Sequence, residues 1–248
     1  MKRKEFLRGL GLMGISSLAI PIINSCSKDD VSTDSSTNTD SSSGSGSSSS
    51  DCSVTPSETA GPFPTITPSS LVKSNITMDR TGVAFTIKIT IKNTNASCVA
   101  LKNAIVDIWH CDKDGYYSEY GGTSMQSVNY TSVHFLRGRQ TTDENGLVTF
   151  TSIFPGWYSG RATHIHVHIY NASGTSLLVT QIAFPEGSNS AVALVNASTA
   201  NGYTKGLTGY TYNASDNVFS DSTAKEMSTI TGSVSEGFVL THTINVAG

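Results

Sequence analysis

Three histidines stand at alternate positions in the stretch RATHIHVHIY, residues 161–170. In a β-strand, alternate residues point to the same face, and side chains two positions apart are separated by roughly 6.5–7 Å at the backbone. His164 and His166 can therefore converge on one metal ion, whereas His168 is poorly placed as a third ligand. A strand face turned toward solvent would give the same pattern, so the histidines alone leave both interpretations open.

Two tyrosine-bearing turns lie upstream of these histidines. The sequence FPGWYSGR places Tyr158 and Arg161 just before them, and DIWHCDKDGYYSEY, residues 107–120, runs into a glycine turn that carries Tyr116 and Tyr117. Each piece also has a plain structural interpretation, namely aromatic packing in a turn for the tyrosines and a surface charge for the arginine. These residues are therefore informative only as a combination.

Alternating side chains predict the strands that would position these groups. VAFTIKITIK, residues 83–92, and FVLTHTINV, residues 238–246, alternate apolar and polar residues, which is typical of strands with one buried face. His242 lies on the apolar face of the second segment and is interpreted as a core or edge histidine. Further strands are predicted at residues 98–101, 104–109, 147–153, 164–170 and 177–184.

The remaining segments complete a fold prediction. Residues 188–200 are compatible with one short helix, and residues 118–133 have little periodicity and are predicted to form a long loop. Many short strands separated by turns, with little helix, predict an all-β fold. We expect a β-sandwich of mainly antiparallel strands with long loops around the site.

The first part of the chain is not expected to belong to the folded domain. Residues 1–25 combine a basic start with a short apolar stretch, which is typical of an export signal, and the small residue before Cys26 resembles a lipoprotein processing site. Residues 26–51 are nearly all Ser, Thr, Asp and Gly, and they are predicted to form a disordered tether. We therefore expect residues 52–248 to form an exported domain, anchored through lipidated Cys26 in the cell envelope, at the outer membrane or the cell surface.

Composition and cysteine content limit the remaining function classes. The formal net charge is −3 and only 14% of residues are charged, so the chain has no basic footprint for nucleic acid. Cys52, Cys98 and Cys111 allow three alternative single bridges, and they lack the spacing of a zinc ribbon. The sequence does not choose among the bridges, and it leaves the oligomeric state open.

Several motifs, taken in order, resemble one family. FLRGRQTTDENGLVTFTSIFPGWYSGRATHIHVHIY, residues 135–170, is similar to the core of the intradiol ring-cleavage dioxygenases, with its RGR, PG-x-Y and R-x-x-H-x-H elements. VDIWHCDKDGYYS, residues 106–118, resembles their W-x-x-x-x-x-G-x-Y-S element. TPSETAGPFP, TQIAFP and ASDNVFSD, at residues 55–64, 180–185 and 214–221, resemble flanking segments of the same family.

The resemblance implies a cofactor and a set of ligands. This family binds one non-haem Fe(III) per domain through two tyrosines and two histidines. The tyrosine two positions after glycine corresponds to Tyr117, the PG-x-Y tyrosine to Tyr158, and the two histidines to His164 and His166. The resemblance also implies that Arg161 stabilises charge developing on the substrate ring. Gln181 matches a glutamine near the metal, and we expect it to act in catalysis together with Arg161 and Tyr158.

The resemblance further implies a reaction. A catechol-type small molecule would bind with both oxygens deprotonated, and Tyr158 would take up one of its protons. O2 would then supply both of its atoms as the ring opens between the two hydroxyl-bearing carbons, giving a muconate-type dicarboxylate. Which catechol is the substrate is not implied.

Two other functions are compatible with parts of the sequence. A β-sandwich lipoprotein could bind aromatic or carbohydrate ligands without turnover, but such a protein has no need of two tyrosines and two histidines. A zinc hydrolase could use the three alternating histidines, but its nearest downstream acid is Glu186 and no carboxylate has helpful spacing for a general base.

Overall fold

A computed structural model describes residues 52–248 of the chain, so the predicted export signal, lipidated Cys26 and tether lie outside the described residues. Nine strands follow one another in the described range: β1 Ala84–Asn93, β2 Val99–Ala100, β3 Ile105–Trp109, β4 Arg137–Thr141, β5 Leu147–Ile153, β6 His164–Tyr170, β7 Ser176–Ala183, β8 Thr229–Ser233 and β9 Gly237–Val246. One α-helix, α1, spans Ala191–Asn196, and short 3₁₀ turns span Pro68–Ser70, Thr94–Ala96, Thr199–Asn201 and Asn213–Ser215.

The strands form two sheets. The first has the order β2-β1-β9-β8, with β5 also pairing with β1, and its β1–β9 pair is parallel. The second has the order β4-β3-β6-β7, and all of its pairs are antiparallel. The prediction of an all-β sandwich with mainly antiparallel strands is confirmed.

Apolar side chains from both sheets form one core. Ile87 and Ile89 of β1 pack in the same hydrophobic cluster as Val106 of β3 and Ile165 of β6, and all four are fully buried. Burial of each such aliphatic side chain contributes about 1.5–3 kcal/mol. The alternation seen in the sequence therefore fixes which face of each strand points inward, and it leaves the other face of β6 to its histidines.

The predicted elements correspond closely to the observed ones, with two omissions. Strand β4 was not predicted because RGRQT has no apolar alternation, and β8 was not predicted because TITGS lies at a sheet edge with mostly exposed side chains. Residues 118–133 contain no helix or strand, as expected for the predicted loop. His242 lies on the inward face of β9, where burial lowers its pKa to about 4.

One of the three cysteine pairings is formed. Cys52 and Cys98 are joined by a disulfide across a sequence separation of 46, and Cys111 is a buried free thiol. The bridge attaches the start of the described chain to the turn between β1 and β2. None of the helices in the described range is long and apolar enough to cross a membrane.

We predict that Cys98→Ser lowers the free energy of unfolding by about 4 kcal/mol, because a bridge closing a loop of this length restricts the unfolded chain by that amount. Urea unfolding with and without reductant measures the effect. Reductant should destabilise the wild-type protein and leave Cys98→Ser unchanged. Equal urea midpoints for oxidised wild type and Cys98→Ser would contradict this role.

Candidate active site

The outer face of the β4-β3-β6-β7 sheet carries polar side chains that loops cover. His164 and His166 lie on β6, and His166 is directly opposite Trp109 on β3 and Gln181 on β7. Directly opposed residues of antiparallel strands project from the same face, so three strands contribute to one patch. All four side chains are buried, although none of them faces the apolar core.

The two imidazole rings converge through their Nε2 atoms, which lie 3.1 Å apart. The Nδ1 atom of His164 lies 2.6 Å from the carbonyl oxygen of Ala162, and since a carbonyl only accepts, Nδ1 carries the proton and Nε2 presents a lone pair. Burial and the nearby Arg161 charge lower the pKa of His164 to about 3, and burial lowers the pKa of His166 well below its usual value. Both rings are therefore neutral, which is the form that binds metal ions.

Two glycines allow the tyrosine-bearing turns to pack against each other. Gly115 has a φ of +91°, and a Cβ atom on it would lie 2.3 Å from a backbone carbonyl oxygen of the turn that carries Tyr158. A Cβ atom on Gly156 would lie 2.3 Å from a backbone carbonyl oxygen of the turn that carries Tyr117. No larger residue fits at either position without moving the backbone. This close approach brings Tyr117 and Tyr158 to the histidine patch.

The phenol groups of Tyr117 and Tyr158 complete a group of four donors. The Tyr117 Oη atom lies 3.3 Å from Nε2 of His164, and the two tyrosine rings have centroids 5.8 Å apart. Burial raises the pKa of both phenols, while the nearby positive charge of Arg161, joined at Tyr117 by that of Arg137, favours the ionised forms. The buried Tyr158 hydroxyl makes no hydrogen bond of normal geometry with any described residue.

Arg161 connects the histidine strand to the C-terminal part of the domain. Its Nε atom donates to both carboxylate oxygens of Asp216, at 3.1 and 2.9 Å, and its Nη2 atom donates to Oε1 of Gln181 at 2.6 Å. Its Nη1 atom lies 3.5 Å from Nε2 of His164. Asp216 is fully buried and also accepts from two backbone amides, so the guanidinium group is held in one orientation beside the donors.

Aromatic rings shield the donors from water. The Trp109 ring stacks on His166 with centroids 4.9 Å apart and an interplanar angle of 2°. The Phe63 ring stacks on Tyr117 with centroids 4.8 Å apart. These contacts restrict ring rotation and keep the patch apolar around its polar atoms.

Arg137 supports the loop that carries Tyr117. Its guanidinium group is fully buried, and it donates to the hydroxyl of Ser118 at 2.9 Å, to the carbonyl of Ser118 at 2.6 Å and to the carbonyl of Phe63 at 2.9 Å. The Gln126 side chain both accepts from the backbone amide of Tyr117 and donates to its carbonyl, each at 2.7 Å. The loop and the Phe63 segment are thereby fixed to the same sheet.

The structure brings all six sequence-predicted site residues together: Tyr117, Tyr158, Arg161, His164, His166 and Gln181. His168 is not part of the group, because its ring bonds to the hydroxyls of Ser176 and Tyr170 instead. Across residues 52–248, no three His, Cys, Asp or Glu side chains are grouped to hold a metal ion, so the three-histidine zinc site is not formed. Glu186 is also engaged elsewhere, with Tyr210 and Asn213.

Two supporting residues were not predicted from the sequence. Asp216 lies 55 positions after its partner Arg161, and Arg137 contacts Phe63 across a separation of 74. The segments that contain them, ASDNVFSD and RGR, stand out in the sequence only as parts of a family resemblance. Their acidic and basic side chains gave no local signal of burial or pairing.

The four donors fit a bound metal ion. They comprise two neutral imidazole nitrogens and two phenol oxygens, and one of these oxygens is buried without a protein partner. Imidazole suits first-row transition metals, and an ionised phenol adds the negative charge that a highly charged cation prefers. A cavity of about 420 Å³ adjoins the group and is lined by Tyr158 and Arg161, so a small molecule can reach it.

Comparisons with known proteins point to one family. A family model described as "Dioxygenase" matches residues 63–224. The chain is similar to an intradiol ring-cleavage dioxygenase from Tetranychus urticae, with 29% identity and a TM-score of 0.68 over 79% of this chain and 95% of that one. It also shares its fold with the dioxygenase domain of a carbohydrate-binding fusion protein from Streptomyces sp. SirexAA-E, with 22% identity and a TM-score of 0.54 over 78% of this chain and 97% of that one.

A curated relative supports the same assignment over a shorter region. Chlorocatechol 1,2-dioxygenase from Rhodococcus opacus is 30% identical over 109 residues, which is 36% of this chain. The matched region spans 40% of that protein, less than half of its length.

We predict that Asp216→Ala destabilises the domain by about 3–5 kcal/mol, because it leaves the Arg161 guanidinium buried without its counter-charge. Chemical denaturation followed by circular dichroism measures the change. Asp221→Ala is the matched control, since that side chain is exposed and should alter stability by no more than about 0.5 kcal/mol. Equal stabilities for the two variants would contradict the proposed ion pair.

Proposed function

The chain belongs to the intradiol ring-cleavage dioxygenase family, and from this membership we propose that it uses Fe(III) and O2 to cleave a catechol-type ring between its two hydroxyl-bearing carbons. The product would be a muconate-type dicarboxylate. The observation that carries the proposal is the convergence of Tyr117, Tyr158, His164 and His166 beside the fixed cation of Arg161. The chlorocatechol dioxygenase among its relatives supports a catechol as the substrate class.

The donor set explains the choice of metal. Tyr117 and Tyr158 would supply two phenolates, which are hard anionic ligands suited to ferric iron, and His164 and His166 would supply neutral nitrogens. Burial raises the pKa of both phenols, and a metal cation held between them would add to the charge of Arg161 in favouring their ionised forms. When held by these four side chains, Fe(III) would supply the chemistry that makes a bound catechol reactive toward O2.

Tyr158 is placed to act on the substrate's protons. It lines the 420 Å³ cavity, and its hydroxyl has no hydrogen-bond partner in the described structure. As a phenolate it can accept one proton from an incoming catechol. Tyr117 is fully buried and stacked on Phe63, which suits a ligand that stays in place.

Arg161 would stabilise negative charge in the substrate ring. It lines the same cavity as Tyr158, and its orientation is set by Asp216 on one side and Gln181 on the other. A preorganised cation in a site that excludes water acts strongly on charge that develops during the reaction. Gln181 would therefore be a positioning residue, since its contact is with the arginine.

Export and anchoring form a separate proposal that rests on residues 1–26 alone. We propose that the chain is exported and held in the cell envelope by lipidation of Cys26.

In a bacterial host, the full chain should take up labelled fatty acid and fractionate with membranes, and Cys26→Ala should lose both properties because the acceptor thiol is gone. Cys111→Ala is the control and should keep the label, since Cys111 is buried inside the domain. Label retained by Cys26→Ala would overturn the anchor.

We predict that iron loading gives the wild-type protein a broad visible absorption band from charge transfer between phenolate and Fe(III). Tyr117→Phe and Tyr158→Phe should each weaken this band and lower oxygen uptake with catechol by at least about tenfold, because each removes one anionic ligand. Tyr116→Phe is the matched control and should retain both, since its ring contacts Tyr130 and not the donors.

Two results would count against the proposal. A colourless iron-loaded wild type would exclude ferric phenolate ligation. A coloured protein that binds catechol without consuming oxygen would indicate a binding protein.

A further inference from the structure

A second cavity lies beside the one that Tyr158 and Arg161 line. We call the first the ring cavity. The second has a volume of about 360 Å³ and is called the side cavity; its lining includes Phe63, Tyr120 and Ser124. Pro62 and Met125 line both cavities, so these two residues lie at the boundary between them. Pockets that hold drug-sized molecules have volumes of roughly 300–1,000 Å³. The ring cavity, at about 420 Å³, is within this range without the volume of the side cavity.

The wall of the side cavity is aromatic and rigid. Phe63 and Tyr120 meet edge to face with centroids 5.3 Å apart. The Tyr120 hydroxyl donates to the carbonyl of Pro64 at 2.6 Å, and the carbonyl of Phe63 accepts from Arg137. Because both rings line the cavity, another aromatic ring placed in it would contact them.

The charge of the side cavity restricts what it can hold. Glu119 is the one charged residue among those that line it in the described structure, and it is buried. Its oxygens already accept from the amide of Ile66 at 2.8 Å and contact the ring of His134 at 2.7 Å. With no cation in the lining, an anionic substituent would find no partner there and would meet the Glu119 carboxylate.

Met125 forms the adjustable boundary between the two cavities. Its side chain is 65% exposed, while the adjacent Gln126 is pinned by three hydrogen bonds to Tyr117 and Tyr120. The backbone of this loop is therefore held, but an unbranched thioether side chain can rotate to open or narrow the passage. Pro62 on the opposite wall has no such freedom.

We propose that the side cavity is a substrate subsite that receives a neutral aromatic substituent on the catechol, with Met125 controlling access to it. The inference rests on the proposed function, because it assumes that the catechol itself occupies the ring cavity. The substrate class is thereby narrowed to two-ring catechols whose second ring carries no charge.

The test compares catechol with 3-phenylcatechol and 4-phenylcatechol. Dissociation constants are measured by calorimetry on the iron-loaded protein without oxygen, and kcat/KM is measured by oxygen uptake. We expect the better phenylcatechol to bind the wild type about tenfold more tightly than catechol does. A carboxylate on the second ring should remove that advantage.

Three variants test whether the preference for phenylcatechol arises in the side cavity. Met125→Trp narrows the passage and Ser124→Trp fills the side cavity alone, so both should abolish the preference for phenylcatechol over catechol. Met78→Trp is the matched control at another exposed methionine, and it should keep the preference. Circular dichroism confirms that each variant is folded.

The outcomes separate the inference from the function it rests on. Oxygen uptake with catechol but no preference for either phenylcatechol would overturn the subsite and leave the proposed function standing. A preference that survives both Met125→Trp and Ser124→Trp would also overturn it. If no catechol is consumed, the anaerobic dissociation constants still decide: a preference lost in both variants supports the subsite, and its absence in the wild type refutes it.

Discussion

The outer face of the β4-β3-β6-β7 sheet is polar and nevertheless buried, and the rest of the domain is arranged around that constraint. Every buried polar atom there needs a partner, and the partners come from segments distant in sequence. Asp216, in the C-terminal part of the domain, accepts a hydrogen bond from Arg161. Arg137 donates a hydrogen bond to the loop that follows Tyr117. The Tyr158 hydroxyl, like Nδ1 of His166 and Nε1 of Trp109, makes no hydrogen bond with the described residues, and it lies where a bound ion and a substrate would meet.

The apolar faces of the strands can be predicted from the sequence. The alternation of residues 83–92 and 164–170 predicts strands whose inward faces are aliphatic, and these strands are present. The same alternation places His164 and His166 together on the opposite face. The two tyrosine turns are recognised through their glycines, and the packing of Gly115 and Gly156 supplies the physical reason for those motifs.

The buried polar contacts are harder to predict from the sequence, because the tertiary fold brings their partners together. Nothing near Arg137 indicates that this arginine is fully buried, since arginine is usually a surface residue. Nothing near Asp216 indicates that its partner lies 55 residues earlier. The choice of Cys98 over Cys111 as the partner of Cys52 likewise depends on which turn the N-terminal segment passes. Local sequence patterns predict which side of each strand is buried in the core. They do not predict which loop covers the other side, because that depends on the tertiary fold.

The Cys52–Cys98 bridge also determines how the domain would respond to a mechanical load. A pulling force on the chain ahead of Cys52 would pass through the bridge into the turn after β1, and from there into the first sheet. The segment from Thr59 to Phe63, which lines both cavities, follows Cys52 along the backbone, so the bridge gives the load a second route that does not run through this segment. The bridge would thus pass part of any tension on the N-terminal side to the first sheet and reduce the part that reaches the walls of the site.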